Sequence, residues 1–253
     1  MSWGLPNGQS PFFVENNLKT PGIIFDLDGT LVDSVYQHVF AWHEVLRSAR
    51  MGVAQWRIHR AIGMGGNLFL PKLLRDESLR HSQKTIARLE AAHQKHFDRL
   101  IVRIDALPGA ADLLGILKRR SIPFAVATSG GAAQTKRLLA RISNRPDCPV
   151  ITADDVDEAK PAPDLFRLAA QRLERQPEDC FVVGDSVWDV LAARRMRSSA
   201  VALQTGGFDG QELQVAGAYR VYADPRELAL VSTRALPSGT LINTYRHFGS
   251  LRP

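Results

Sequence analysis

Gly22-Ile23-Ile24-Phe25-Asp26-Leu27-Asp28-Gly29-Thr30 is the segment from which the rest of the chain can be organised. Gly22–Phe25 reads as a short buried strand, and it ends in a carboxylate. A charge at the end of an apolar strand is costly unless it is paired or used. Residues two apart on an extended strand point to the same side, so Asp26 and Asp28 can face one site while Leu27 turns into the core. Gly29 permits the sharp exit that exposes both groups. Two close carboxylates repel and raise one pKa unless a cation intervenes. They can therefore share a metal, or one can stay protonated as a general acid.

Further apolar runs read as strands at Phe124–Ala127, Val150–Ala153, Cys180–Val183 and Ala200–Leu203, with a weaker one at Tyr219–Tyr222. Stretches of helical period lie between them, at Ala111–Arg119, Ala133–Arg141, Pro163–Leu173 and Val187–Arg195. Strands alternating with helices of this length imply βαβ units. The expected fold is α/β, a Rossmann-like parallel sheet with helices on both faces.

One segment breaks the rhythm. From Val35 to Ile101 no strand pattern occurs, while Val35, Val39, Trp42 and Leu46 recur at helical spacing, as do Ile86, Leu89, His93, Phe97 and Leu100. The same region holds the charge excess: residues 34–104 carry twelve basic and five acidic residues, against a net +6 for the chain. We read it as an all-helical module inserted after the first strand, with the sheet resuming at Leu107-Pro108-Gly109. The boundaries are a flexible lead-in over 1–20, a core over 21–33 and 105–235, the insertion over 34–104, and an unassigned tail over 236–253.

Composition bounds the class. Of the 253 residues 45% are hydrophobic and 23% charged, enough apolar material to order a soluble globular chain. No apolar run is long enough to span a membrane, and the first twenty residues lack the pattern of a secretory signal. Cys148 and Cys180, far apart and outside any CxxC, read as structural thiols of a reducing, cytoplasmic compartment.

In an open parallel sheet, ligands bind beyond the carboxyl ends of the strands. Three more groups fall there. In Gly184-Asp185-Ser186-Val187-Trp188-Asp189, Asp185 ends a strand and Asp189 follows four residues on, spaced as one helical turn along the same face. Such a pair suits a hard cation, and Mg²⁺ takes one or two protein carboxylates plus a substrate phosphate. In Thr128-Ser129-Gly130-Gly131, hydroxyls and backbone N–H groups at a strand-to-helix turn form an anion cradle. Lys160, in Ala159-Lys160-Pro161-Ala162-Pro163-Asp164, offers a fixed positive charge.

Taken in order, FDLDGT, ATSG, Lys160 and VVGDSVWD resemble the four motifs of the haloacid dehalogenase superfamily of phosphohydrolases. The insertion between the first two resembles the helical cap of its phosphoglycolate phosphatase and β-phosphoglucomutase branch. The resemblance implies that Asp26 is the nucleophile of an aspartyl-phosphate pathway, and that Asp28 is general acid and then base. It implies Mg²⁺ held by Asp26, the backbone carbonyl of Asp28 and Asp185, with Asp189 in or near the second layer. Thr128, Ser129 and Gly130 would hold the phosphoryl group, and Lys160 would bridge phosphate and nucleophile. The dehalogenases of the superfamily lack the second Asp, so Asp28 favours phosphoryl transfer over halide displacement.

The expected partner is a small phosphorylated metabolite, either phosphoglycolate or a sugar phosphate, and the expected state is a monomer or weak dimer. His38, twelve residues after Asp26, resembles a histidine linked to cap closure in the mutases. The mutase loop usually carries an Arg after its first glycine, whereas here it runs Gly63-Met64-Gly65-Gly66-Asn67, which favours a phosphatase over a mutase. Arg60 and Asn67 are placed by the loop to reach substrate. His93 and His96 have a zinc-compatible spacing but no third ligand, and read as structural. Trp42, Phe69 and Phe97 read as packing of the insertion. A non-enzymatic binder of nucleic acid is the rival class, disfavoured because no nucleic-acid-binding motif accompanies the basic charge.

Overall fold

The computed structural model describes residues 20–142, 147–158 and 160–234. The expectations for the tail, and for all but the last residue of the lead-in, lie outside these residues. In chain order the elements are β1 (Gly22–Phe25), α1 (Val35–Ser48), α2 (Gln55–Ala61), α3 (Gly66–Asp76), α4 (Gln83–Leu100), α5 (Ala110–Arg119), β2 (Phe124–Ala127), α6 (Ala132–Leu139), β3 (Val150–Ile151), α7 (Asp164–Arg172), β4 (Cys180–Gly184), α8 (Val187–Arg195), β5 (Ser199–Leu203), α9 (Gly210–Ala216), β6 (Arg220–Tyr222) and α10 (Pro225–Arg234).

The six strands form one parallel sheet in the order β3-β2-β1-β4-β5-β6. Strand order reverses beside β1, so β1, β2 and β4 lie together at the point where such sheets place their ligands. The twofold alternation of strand side chains divides the core between the two faces. Phe25, Val126 and Val183 pack against Leu113, Leu117 and Leu138 of α5 and α6. Ile24, Ala125 and Val182 pack on the other face against Leu165, Phe166 and Ala169 of α7 and Val190 of α8. With both faces covered, the central strands β1, β2 and β4 carry no charged residue, which is why they read as continuous runs.

Helices α1–α4 fill the interval between β1 and α5 and carry a core of their own. Val39, Trp42 and Leu46 of α1 meet Ile58 of α2, Phe69, Leu70 and Leu74 of α3, and Ile86 and Leu89 of α4. The end of α4 leaves this cluster: Phe97 and the adjacent Ile101 join the sheet core beside Phe25 and Leu31. Phe97 therefore packs on the sheet side as well as against His38 of α1 within the insertion.

Two boundaries differ from expectation. The sheet does not resume at Leu107–Gly109. That segment is tied by Leu107 N–H donating to the Leu31 carbonyl at 2.9 Å, and Gly109, with φ +82°, sits where a β-carbon would strike the backbone of Arg226. It leads into α5, and the next sheet strand is β2. The third strand stops at Ile151, because Thr152 and Asp155 close a capping box over the single turn Ala153–Asp155.

Candidate active site

The carboxyl ends of β1, β2 and β4, together with the loop before α7, bring five of the sequence candidates into one buried cluster. Asp26 follows β1, Thr128 follows β2, Asp185 follows β4, Asp189 lies in the first turn of α8, and Lys160 arrives from the loop; all are buried. Lys160, 1% exposed, donates from Nζ to Asp26 Oδ1 at 2.5 Å and to Asp189 Oδ1 at 2.9 Å. A lysine this deep is held by charge: burial lowers its pKa, but Asp189 and Asp26 outweigh burial and raise it, so it stays cationic.

One cation does not satisfy three carboxylates. Burial pushes the Asp26 carboxyl up to about 7 against the pull of Lys160, with Asp189 and Asp28 adding to the rise. Burial, then Asp189 and Asp26, raise Asp185 well above the usual carboxylate range. Oxygens of Asp26, Asp185 and Asp189 lie within 4.8 Å of one another. A β-carbon at Gly206, or at Gly29 with its φ of +80°, would collide with Asp185 Oδ2, so the backbone leaves the cluster open. This donor set, hard oxygen ligands with excess negative charge, fits a divalent cation such as Mg²⁺.

Asp28 stands apart from that triad. Its carboxylate turns to Ser34, whose Oγ donates to Oδ1 at 2.5 Å, to His38, whose Nε2 lies 3.3 Å from Oδ1, and to Thr128, whose Oγ1 donates to Oδ2 at 3.3 Å. Burial alone would raise its pKa, but the hydrogen bond and charge of His38, with Ser34 and Lys160, lower it. Asp26 and Asp28 thus point into one site with opposite electrostatic bias.

The turn after β2 carries the anion-cradle candidates. Gly130 N–H turns back to Thr128 Oγ1 at 3.0 Å, and Ala132 N–H is taken by Asp154 at 2.9 Å. Ser129 Oγ is buried and has no hydrogen-bond partner among the described residues. A buried hydroxyl without a partner is costly unless a ligand supplies one.

The haloacid dehalogenase-like hydrolase profile matches residues 20–197, the span that carries the four aspartates, Lys160 and the turn after β2. The chain belongs to the haloacid dehalogenase-like hydrolase family. It is 34% identical over 177 residues to hexitol phosphatase A of Escherichia coli, covering 69% of this chain and 79% of that protein. It is 34% identical over 197 residues to the fructose-1-phosphate phosphatase YqaB of the same organism, covering 71% and 94%. A solved hydrolase from Pseudomonas syringae superposes with a TM-score of 0.82 at 42% identity, covering 85% of this chain and 98% of that one.

Within this hydrolase several candidates are placed differently from expectation. Asp185 precedes α8 instead of sharing a helical face with Asp189. Asp189 is positioned by a capping box, its carboxylate accepting Ser186 N–H at 3.1 Å and Ser186 O–H at 2.5 Å. Arg60 does not turn to the carboxylates. It forms a forked pair with Glu212 of α9 and lies 4.4 Å over the Phe208 ring. The Asn67 side chain is outside the described part of the structure.

Other contributors escaped the sequence reading. Thr30 donates to Asp185 Oδ1 at 2.9 Å, and its place inside FDLDGT was the available signal. His59 of α2 contacts the Gly206 carbonyl at 2.7 Å and stacks on Tyr36, and Gly65 N–H donates to the Lys160 carbonyl at 3.2 Å. These contacts seat the helical insertion over the acidic cluster, and nothing local in the sequence announces them. No described helix is long and apolar enough to cross a membrane.

Proposed function

We propose that this hydrolase cleaves phosphate monoesters of small metabolites, sugar and polyol phosphates foremost, through an aspartyl-phosphate on Asp26. The observation that carries the reading is the buried Lys160–Asp26 contact at 2.5 Å, set beside the unpartnered Ser129 hydroxyl. A carboxylate nucleophile, a fixed cation and a waiting donor together suit a tetrahedral anion. The names of the 34%-identical relatives, a hexitol phosphatase and a fructose-1-phosphate phosphatase, point to a hydroxylated leaving group.

The residues divide the work. Lys160 binds one oxygen of Asp26, fixes its rotation and favours its ionised form. Ser129, Thr128 and Lys160 hold the phosphoryl oxygens in line with the free Asp26 oxygen, on the turn that the Gly130 N–H closes onto Thr128. That oxygen bonds to phosphorus as the ester P–O bond breaks. Asp28 gives the departing oxygen its proton. Asp28, whose carboxylate faces Ser34, His38 and Thr128, first takes that proton from the substrate bound as a phosphate monoanion. Asp28, again a carboxylate, then takes a proton from water, whose oxygen bonds to phosphorus while the bond to Asp26 breaks. Asp26, Asp185 and the backbone carbonyl of Asp28, with Asp189 beside them, would hold Mg²⁺, which would supply charge neutralisation at the phosphoryl group. Helices α1–α4 act as the cap, excluding bulk water and reading the leaving group. The cation-free Gly63–Gly66 loop favours hydrolysis over a mutase cycle, which needs a second phosphate seat.

Release of inorganic phosphate from a panel of sugar, polyol and two-carbon acid phosphates, with and without Mg²⁺, tests this. Mg²⁺-dependent turnover that disappears in Asp26→Asn is expected. Equal turnover by Asp26→Asn overturns the nucleophile.

A further inference from the structure

Gln134 stands where the leaving group meets the sheet domain. It lies in the first turn of α6, just after the Thr128–Gly131 turn, and is buried at 7% exposure. Its Nε2 lies 3.4 Å from His38 Nε2, and that same ring nitrogen lies 3.3 Å from Asp28 Oδ1. A β-carbon at Gly130 would sit 3.5 Å from Thr128 Oγ1 and 3.7 Å from Gln134 Nε2, so the amide also borders the anion cradle.

A buried amide is costly unless its hydrogen-bonding positions are filled. Gln134 offers two N–H donors and a carbonyl with two lone pairs. Among the described residues its side chain has a single polar contact, with His38. The rest of the amide is left for the molecule that fills the cleft.

Its position says which atom of that molecule it meets. Asp28 protonates the ester oxygen, so the leaving group begins at Asp28 while the phosphoryl group sits on the Thr128 turn. The two contacts that meet at His38 limit the separation of Asp28 Oδ1 and Gln134 Nε2 to about two hydrogen-bond lengths. An oxygen on the carbon next to the ester carbon lies about one such length from the ester oxygen, which brings it to the amide. A hydroxyl both donates and accepts, so it pairs with either end of the amide whatever hydrogens His38 carries.

The geometry points to Gln134 as a specificity-determining residue: its amide binds the hydroxyl on the carbon adjacent to the ester carbon, so the enzyme selects monoesters that carry one. This rests on the phosphatase reading and on Asp28 facing the leaving oxygen, and it narrows the substrate class of that site. An ester without the hydroxyl leaves the buried amide unpaired, and sites built to hydrogen-bond a hydroxyl reject analogues that lack it.

Racemic glycerol 1-phosphate and 3-hydroxypropyl phosphate differ only in that hydroxyl. Wild-type kcat/KM should favour the glycerol ester at least about 10-fold. Gln134→Met keeps an unbranched side chain of similar length and loses the amide; it should lose most of that preference, and Gln134→Leu should do the same. The preference is a ratio within one protein, so it is insensitive to a packing defect, which lowers both esters together. Equal kcat/KM for the two esters in the wild type, or a preference fully kept in Gln134→Met, overturns the proposal. Calorimetric binding of the two esters to Asp26→Asn in Mg²⁺ decides it without turnover: tighter binding of the glycerol ester is expected, and equal affinity overturns it. Wild-type protein that hydrolyses neither ester nor p-nitrophenyl phosphate overturns the phosphatase reading instead, and the binding comparison still decides the role of Gln134.

Discussion

Arg60 and Glu212 face each other 152 positions apart in the chain, one from the helical insertion and one from α9 of the sheet domain, joined as a forked guanidinium–carboxylate pair. The Arg60 carbonyl accepts Trp188 Nε1–H at 3.2 Å, so the same residue is held by side chain and backbone. Beside it, His59 binds the Gly206 carbonyl, and a β-carbon at Gly206 would collide with Asp185. A surface contact is thereby linked to the acidic cluster through one short loop.

Arg60→Ala should therefore alter local opening more than global stability. Both side chains are more than a third exposed, at 40% and 34%, so solvent screening limits the pair to about 0–1 kcal/mol. Amide exchange in residues 204–208 should accelerate while the thermal midpoint moves little. Unchanged exchange in that loop contradicts the link.

Lys160→Met removes the only cation that touches the buried acidic cluster among the described residues. Breaking a buried ion pair leaves uncompensated charge, at a cost of about 3–5 kcal/mol. Denaturant unfolding should show that loss in metal-free protein, and Mg²⁺ should recover part of it. Wild-type stability in the metal-free variant counts against the electrostatic account.

Proton and metal should compete for the cluster. Asp26 is raised from 3.8 to about 7, so between these values the folded protein holds a proton that the unfolded chain has lost. For this group the metal-free fold gains stability below the unfolded value and loses it as the pH rises through 7. Mg²⁺ binds the ionised carboxyls and reverses the trend. The Mg²⁺-induced rise in thermal midpoint should be larger at about pH 7.5 than at about pH 5. An equal or smaller rise at the higher pH argues that the cluster is not the metal site.

Both thiols should be inert. Burial pushes Cys148 and Cys180 each up to about 11, leaving little thiolate at neutral pH. Reaction with a disulfide reagent should be slow in the native protein and complete after unfolding, with activity kept in the reduced native state. Rapid native labelling contradicts this.

The sheet was legible because parallel strands covered on both faces leave an unbroken apolar run, and because Asp26, Thr128 and Asp185 end such runs at a common edge. Helices α5–α8 were legible from their periodicity. What escaped depends on distance. His93 meets His38 across 55 positions, and the spacing with His96 invited comparison with a metal pair while its ring partner lies on another helix. Arg60 sits beside the glycine loop in sequence, yet Glu212 and Phe208 draw its guanidinium to the outer seam. The placement of Asp189 follows from a side-chain cap with Ser186, a feature local enough to have been read from the Ser-x-x-Asp pattern.

The account turns on covalent capture of the phosphoryl group by Asp26. Rapid quenching of the enzyme with a turned-over sugar phosphate, followed by peptide mass analysis, tests it most directly. A phosphoryl increment on the peptide containing Asp26 is predicted, absent in Asp26→Asn; with p-nitrophenyl phosphate, whose leaving group needs no proton from Asp28, it should be more abundant in Asp28→Ala, where the second step lacks its base. Turnover with no acyl-phosphate on Asp26 in either the wild type or Asp28→Ala would contradict it.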